Sequence, residues 1–471
     1  MTNPTEARAP LSILVALAAA SLTASLGISI ASVLLPTLTR GFGATVSEAQ
    51  WVVLAYLVAV TVTIVSAGRL GDLFGPRRVM LSGLVVFLVA SGLCAMAPSL
   101  GLLVLGRALQ GVGGAILIAL SMSIARDMVP PGQLGSAMGL LGTTSAAGTA
   151  LGPSLGGLVL AGSDWRMAFW LLAGVAAMTL VLAVFAIRRD GPGPQASFKS
   201  LDLPGTFVLI VALAAYSLGT SGGASGVPVS SAVLLAGALC AIAIFVAVET
   251  RVGTPLVPMA VLMGRKTGAG FAMNILMGTV MMATLVVGPF FLTFSLGLDE
   301  AVVGLVLAVG PVVAALSGVP AGRLTDRFGA RRVMLAGLVQ TMLGLLCLAF
   351  LPRHFGVGGY ITALIVLTPA FQLFLAANNT AVMSGASQEE RGRLSGLLGL
   401  SRNLGLMTGA SAMSTLFVTV MGTGDAAQAP VADVSRAFSM TFFAASALAL
   451  IALFLALWGH SRRRRAAADP V

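Results

Sequence analysis

The chain has 471 residues, of which 57% are hydrophobic and only 9% are charged, whereas soluble domains carry about 25% charged residues. This composition excludes a water-soluble fold for most of the chain, and the mean hydropathy of +1.00 agrees. A net charge of +11 would suit a nucleic-acid-binding protein. Because the basic residues lie in short stretches between apolar runs, membrane orientation is the better explanation, and no nucleic-acid partner is expected.

Fourteen apolar runs are long enough to cross a bilayer, since a span needs about 20 residues. In chain order they cover 11–35, 48–68, 79–98, 101–125, 135–160, 166–187, 203–221, 229–248, 267–292, 300–321, 333–351, 357–383, 394–420 and 436–458. Lipid offers backbone groups no hydrogen-bond partner, so the runs are predicted to be helices. The first run is too long for a cleaved signal peptide and should remain as a span.

The distribution of basic residues predicts the orientation of the chain. With an even number of spans, 21 of the 27 basic residues fall on the side of the two termini, and four fall on the other side. The remaining two lie inside spans. This asymmetry predicts that both termini are cytoplasmic in a bacterial inner membrane.

An internal repeat divides the chain into two halves. The segment AGRLGDLFGPRRVML (67–81) recurs as AGRLTDRFGARRVML (321–335), with 12 of 15 positions identical, after the second and tenth spans. This pattern predicts two six-helix bundles related by a pseudo-two-fold axis along the membrane normal. The predicted domains are 1–187 (first bundle), 188–262 (linkers and an inserted pair, spans seven and eight), 263–461 (second bundle) and 462–471 (basic tail).

The repeated segment also predicts a gate on the cytoplasmic side. Glycines allow a tight turn and close helix contact, and an aspartate among arginines can form a charge network that a rocking motion makes or breaks. Charge needed for orientation alone would not require an aspartate at the same place in both copies. The predicted gate residues are Gly68, Asp72, Gly75, Arg77, Arg78, Asp326, Arg331 and Arg332.

The fourth span contains a buried arginine in the segment LGRALQGVGG (105–114). A charge in mid-span usually faces a cavity or a partner, so Arg107 and Gln110 are candidates for the substrate cavity. The alternative is that Arg107 extends its side chain to the membrane interface.

The fifth span contains GTALGPSLGG (148–157), in which small residues recur at helical spacing. Such spacing permits close helix contact, and a proline weakens or kinks the helix. Ordinary small-residue packing is the alternative. The small and helix-bending residues of this motif are Gly148, Gly152, Pro153, Gly156 and Gly157. We predict that Gly152 and Pro153 shape the helix so that it packs against the opposite half.

These segments resemble three motifs of the major facilitator superfamily: its loop between the second and third helices, its buried Arg-Gln-Gly motif and its exporter motif. QWVVLAY (50–56), DWR (164–166) and SRNLG (401–405) are similar to the fourteen-helix drug:proton antiporter branch. The resemblance implies an all-α major facilitator fold with two inserted helices. It further implies efflux of small amphipathic molecules, of the drug or multidrug type, by alternating access and antiport against protons.

The chain departs from that branch in its acidic residues. The branch usually carries an acid in the first helix, where this chain has Gly27, and all sixteen Asp and Glu residues lie in loops, tails or span ends. The alternative is therefore a dedicated exporter or facilitator of an anionic or neutral metabolite or lipid without conventional proton coupling. A membrane enzyme would need a cluster of His, Asp, Glu or Cys. The sequence offers no such cluster, so no catalytic residue, cofactor or metal is expected.

The remaining polar residues within spans are candidates for lining the cavity. Amides, aromatic residues and a second buried arginine at these positions can bind a substrate or bond between helices. With Arg107 and Gln110, the predicted set comprises Trp51, Tyr56, Asn274, Gln372, Asn378, Asn379, Arg402 and Asn403. The predicted partners are a small-molecule substrate and the lipid bilayer, with protons as the candidate coupling ion, and a monomer is expected.

Overall fold

The computed structural model describes residues 11–128, 134–187, 203–220, 229–251, 265–384 and 388–466. The first half contains α1 (Leu11–Phe42), α2 (Trp51–Phe74), α3 (Pro76–Ala95), α4 (Leu100–Met128), α5 (Leu134–Gly162) and α6 (Arg166–Ala186). A short helix, Val46–Ala49, precedes α2. The inserted pair comprises α7 (Leu203–Thr220) and α8 (Ser231–Glu249).

The second half begins with α9 (Arg265–Phe290), which continues as a π-helix (Phe291–Ser295), and α10 (Glu300–Phe328). The helix Ala330–Met383 is divided by Gly356, whose φ of 54° and ψ of −132° are not helical, into α11 and α12. The next helix, α13, comprises Gln388–Thr408, a π-helix (Gly409–Met413) and Ser414–Met421, and α14 covers Val431–Ala466.

The structure contains the fourteen predicted spans. Among the described residues, eleven helices are long and apolar enough to cross a membrane, and one of these is the 54-residue helix that contains both α11 and α12. The other two spans are α5 and the shorter α7. Large apolar side chains face outwards, with Phe185 86% and Leu316 72% exposed, as expected of surfaces that lipid covers.

The two copies of the repeat form the same one-residue turn. Gly75 joins α2 to α3 with a φ of 94°, and Gly329 joins α10 to α11 with a φ of 82°. Both lie in a region that side chains other than glycine rarely adopt. The Gly75 N–H donates to the Gly71 carbonyl and the Gly329 N–H to the Thr325 carbonyl, each at 2.9 Å. The repeat in the sequence is therefore a repeat in the backbone.

The helix pairs follow the same pseudo-symmetry. In the first half α1 packs along α5, and in the second half α9 packs along α13. The halves meet where α5 lies against α10 and where α2 lies against α13. The inserted helix α7 contacts α8, α2 and α13. It is bonded to α13, since the Tyr216 hydroxyl donates to Thr408 Oγ1 at 2.9 Å and Thr220 Oγ1 donates to Ser411 Oγ at 2.7 Å.

Candidate substrate site

A cavity lies at the junction of the two halves, with most of its wall in the second half. Its volume is about 160 Å³, which is below the about 300–1,000 Å³ of sites that enclose drug-sized ligands. Thr149 and Pro153 of α5 contribute from the first half. The polar residues that line the rest are Asn274, Thr284, Tyr360, Thr368, Gln372 and Arg402. Because the other lining residues are apolar, the cavity suits an amphipathic molecule.

Arg402 is the charged residue of this cavity, and close helix packing fixes its place. Its backbone lies against α9, because a Cβ added at Gly278 would be 2.8 Å from the Arg402 carbonyl oxygen. Asn274 Nδ2 donates to the Leu398 carbonyl at 2.8 Å and to Ser401 Oγ at 2.9 Å, which binds α9 to the turn before Arg402. The guanidinium of Arg402 has no hydrogen bond or ion pair with any described residue, so its donors remain for a ligand.

Tyr360 on α12 is a cavity residue that the sequence analysis missed. Its side chain is fully buried, and its hydroxyl has no hydrogen-bond partner among the described residues. The ring stacks on Phe291 with centroids 6.4 Å apart. A tyrosine in an apolar span needs a hydrogen-bond partner for its hydroxyl. The chain has three tyrosines, so this requirement was the signal in the sequence that could have identified Tyr360 as a candidate.

Arg107, in contrast, is fully bonded within the first half. Its Nε donates to the Val52 carbonyl at 2.8 Å and its Nη2 to the Gly27 carbonyl at 2.8 Å. Its Nη1 donates to Gln110 Oε1, and its guanidinium lies 4.3 Å from the centre of the Tyr56 ring. The side chain is 0% exposed. Arg107 therefore joins α1, α2 and α4, and it neither lines the described cavity nor extends to the interface.

Position 27, where the resemblance implies an acid, has no room for a larger side chain. A Cβ added at Gly27 would lie 2.9 Å from Phe87 Cζ and 3.1 Å from the Tyr56 hydroxyl. The Gly27 carbonyl takes the bond from Arg107 that a carboxylate could otherwise accept. The charge of Arg107 is thus stabilised by backbone carbonyl dipoles in a fixed arrangement.

The glycines of α5 serve two different contacts. Gly148, Gly152 and Gly156 face α1, and a Cβ at Gly152 would be 2.7 Å from the Ile30 nitrogen. The helix packs against α10 of the opposite half, but not through Gly152, because α1 of the same half covers that face of α5. Gly157 makes the contact between halves, where its added Cβ would be 2.9 Å from the nitrogen of Gly304 on α10.

Loops at the end of the molecule where Gly157 lies add further contacts between the halves. Arg40 Nη1 of the first half is 3.2 Å from Glu300 Oε1 of the second, and the Arg40 guanidinium lies 4.8 Å from the Phe294 ring centre. The Val46 N–H donates to the Gly424 carbonyl at 3.0 Å. The cavity is consequently shut at this end.

The predicted gate at the opposite end is described in part. Arg77 donates from Nε to the Ile187 carbonyl at 2.8 Å and from Nη2 to the Val184 carbonyl at 3.0 Å, which places its charge at the carboxyl end of α6. Asp326, Arg331 and Arg332 are exposed and form no ion pair with described residues. The side chains of Asp72 and Arg69 lie outside the described part, so the proposed network remains a prediction. Gly68 lies on α2 and Arg78 on α3, the two helices that Gly75 joins.

Most of the predicted cavity residues lie outside the wall of the described cavity. Asn378 Nδ2 donates to the Gly270 carbonyl at 3.2 Å, so this amide joins α12 to α9. Gln372, which does line the cavity, donates to the Ala314 carbonyl at 3.4 Å. The residues that the structure places outside the cavity are Arg107, Gln110, Trp51, Tyr56, Asn378, Asn379 and Asn403.

Comparison with known proteins gives one family. A family model described as Major Facilitator Superfamily matches residues 17–293 and 270–470. An uncharacterized transporter of Escherichia coli, YebQ, is 31% identical over 84% of this chain and 88% of its own length. The riboflavin transporter RibZ of Clostridioides difficile is 25% identical over 91% and 93%. The tetracenomycin C resistance and export protein of Streptomyces glaucescens is 28% identical over 87% and 76%.

The structural comparison supports the fold alone. A bacterial homologue of the human lysosomal transporter Spinster superposes with a TM-score of 0.66 at 14% identity, covering 98% of both chains. Together with the sequence matches, this similarity confirms the predicted all-helical fold and the likeness to multidrug-efflux transporters.

Proposed function

The chain belongs to the major facilitator superfamily, and from this premise we propose that it exports small amphipathic molecules by alternating access. The observation that carries the proposal is a mostly apolar cavity at the junction of the halves, shut at one end by Gly157, Gly304 and the Arg40–Glu300 pair. In the predicted orientation this end faces outwards. The structure would then be the state that an exporter loads from the cytoplasm.

The names of two relatives support a small organic substrate. One relative is named an export protein for tetracenomycin C, and another is named a riboflavin transporter. Both names describe small organic compounds, which fits the apolar wall of the cavity. We therefore propose a drug-like or metabolite-like substrate, bound between the halves and released when they rock.

The coupling mode has two candidates. Antiport against protons is the first, since the chain resembles a drug:proton antiporter branch. The second is a dedicated exporter or facilitator without conventional proton coupling, and it is favoured by the lining of the cavity. No Asp or Glu is found among the described residues that line it, and position 27 carries glycine without space for an acid.

Uptake into inverted membrane vesicles tests the proposal. The probes are fluorescein (anionic), riboflavin (neutral) and tetramethylrhodamine methyl ester (cationic), each with and without a pH gradient. We expect uptake of at least one probe above vesicles that lack the protein. Stimulation by an acidic interior would indicate antiport, whereas uptake that survives collapse of the gradient would indicate the second candidate.

A cavity-filling variant links uptake to this site. A Cβ at Gly310 would meet only Thr368 Oγ1, at 3.8 Å, so Gly310→Phe should fill the cavity without displacing the backbone. Gly318 lies on the same helix outside the cavity with nothing within 4 Å, and Gly318→Phe is the matched control. We expect uptake to fall at least about tenfold in Gly310→Phe only. Equal uptake by Gly310→Phe and the wild type would contradict transport through this cavity.

A further inference from the structure

Arg402 is a charged side chain in the wall of an apolar cavity without a protein partner among the described residues. We propose that Arg402 binds the substrate directly and that the transporter prefers anionic molecules, or neutral molecules rich in acceptor oxygens, over monovalent cations. This inference rests on the proposed function and specifies its substrate class.

The contrast with Arg107 supports this assignment. A charge in the membrane interior is costly and is normally paired or bonded to backbone carbonyls. Arg107 satisfies that rule, with donors to the carbonyls of Val52 and Gly27. Arg402 lies in mid-helix on α13, yet its five N–H donors have no acceptor among the described residues. An acceptor from the substrate would satisfy it.

The surroundings of Arg402 define what such a substrate must look like. The amide nitrogens of Asn274 and Gln372 are already bonded to the protein, whereas the buried Tyr360 hydroxyl has no partner among the described residues. The rest of the wall includes flexible or aromatic apolar side chains, among them Met277, Met281 and Phe371. Methionine adapts to ligands of different shape, so the matching ligand has an aromatic body and an oxyanion or carbonyl group.

Electrostatics adds discrimination against cations. The described lining carries one positive charge and no carboxylate. In surroundings of low dielectric constant, a charge acts much more strongly than in water. A monovalent cation would therefore meet repulsion, whereas a carboxylate or phenolate would form charge-assisted hydrogen bonds with the guanidinium.

Equilibrium binding of two matched dyes tests the inference. Fluorescein and tetramethylrhodamine methyl ester share a xanthene core and carry opposite charges at neutral pH. Fluorescence anisotropy with the purified protein in detergent measures their affinities without any membrane potential or coupling ion. We expect fluorescein to bind the wild type at least about tenfold more tightly than the rhodamine.

Substitutions of Arg402 provide the second measurement. Arg402→Gln should weaken fluorescein binding by about tenfold or more and leave rhodamine binding equal or tighter. Arg402→Lys should retain intermediate fluorescein affinity, because it keeps the charge without the planar fork. Arg353→Gln removes an exposed charge of the same half away from the cavity and is the matched control. Elution profile and thermal midpoint verify that each variant is folded.

Two results would overturn the inference: tighter rhodamine binding by the wild type, or equal loss of both dyes in a folded Arg402→Gln. Either result is compatible with transport in vesicles, so it would leave the proposed function standing. Conversely, vesicles without uptake of any probe would refute the proposed function, even if fluorescein bound to Arg402.

Discussion

The two arginines within the spans differ in how their charge is satisfied. Arg107 donates to two backbone carbonyls and to Gln110 and is inaccessible, whereas Arg402 faces a cavity. The first arrangement holds three helices together, and the second leaves donors for a ligand. We therefore assign Arg107 to the stability of the first half and Arg402 to binding.

Arg107→Met should destabilise the protein rather than change its substrate preference. The substitution removes the charged donor of three hydrogen bonds, to the carbonyls of Val52 and Gly27 and to Gln110 Oε1, and a hydrogen bond to a charged group contributes about 1.5–3 kcal/mol. We expect a lower thermal unfolding midpoint with an unchanged ratio of fluorescein to rhodamine affinity. Arg353→Met is the control. A shift of that ratio with an unchanged midpoint would assign Arg107 to the substrate instead.

The sequence was sufficient to find both arginines but not to distinguish their roles. Each lies inside an apolar run within a motif, so the same reasoning predicts a cavity position for both. The difference depends on acceptors contributed by residues 55 and 80 positions away from Arg107. Such contacts follow from tertiary packing, which hydropathy and motif spacing do not specify.

At the scale of the helix, α5 shows how one motif supports two interfaces. Gly148, Gly152 and Gly156 are four residues apart and share one face, and that face packs on α1. Gly157 lies about 100° further round the helix, where it meets Gly304 of the opposite half. The glycine spacing was enough to predict close packing of α5, but it did not predict which helix each glycine contacts.

Leucine substitutions separate the two interfaces of α5. Gly152→Leu should lower the thermal midpoint by overpacking against Ser29 and Ile30, a cost of about 1–3 kcal/mol. Gly157→Leu should leave the half folded but reduce transport at least about tenfold, since the outer end could no longer close. Gly162→Leu, with nothing within 4 Å, controls for added bulk. Normal transport by Gly157→Leu would refute its place in the closed end.

At the scale of the whole molecule, the repeat and the hydropathy pattern predicted the architecture well. Fourteen apolar runs became fourteen helices, and the two copies of the loop motif became identical glycine turns. The position of the inserted helix α7 could not be read from the sequence, because its polar bonds to α13 join residues about 190 positions apart. The orientation in the membrane remains a prediction from charge asymmetry.

Alternating access requires that the contacts between the halves at the end where Gly157 meets Gly304 open during each cycle. The Val46 N–H donates to the Gly424 carbonyl of the opposite half at 3.0 Å. A Cβ added at Gly424 would lie 3.3 Å from the Cβ of Thr45, near the about 3.5–4.5 Å that separates the Cβ atoms of a disulfide. The double variant Thr45→Cys, Gly424→Cys would be made in a chain whose Cys94, Cys240 and Cys347 are replaced. Each single cysteine variant under the same oxidant is the control.

Transport by this double variant in proteoliposomes, before and after oxidation, is the most direct test of the central claim. We predict that oxidation forms the cross-link and lowers transport at least about tenfold, that a reductant restores it, and that the single variants are unaffected. Undiminished transport by the cross-linked protein would contradict alternating access through the cavity between the two halves.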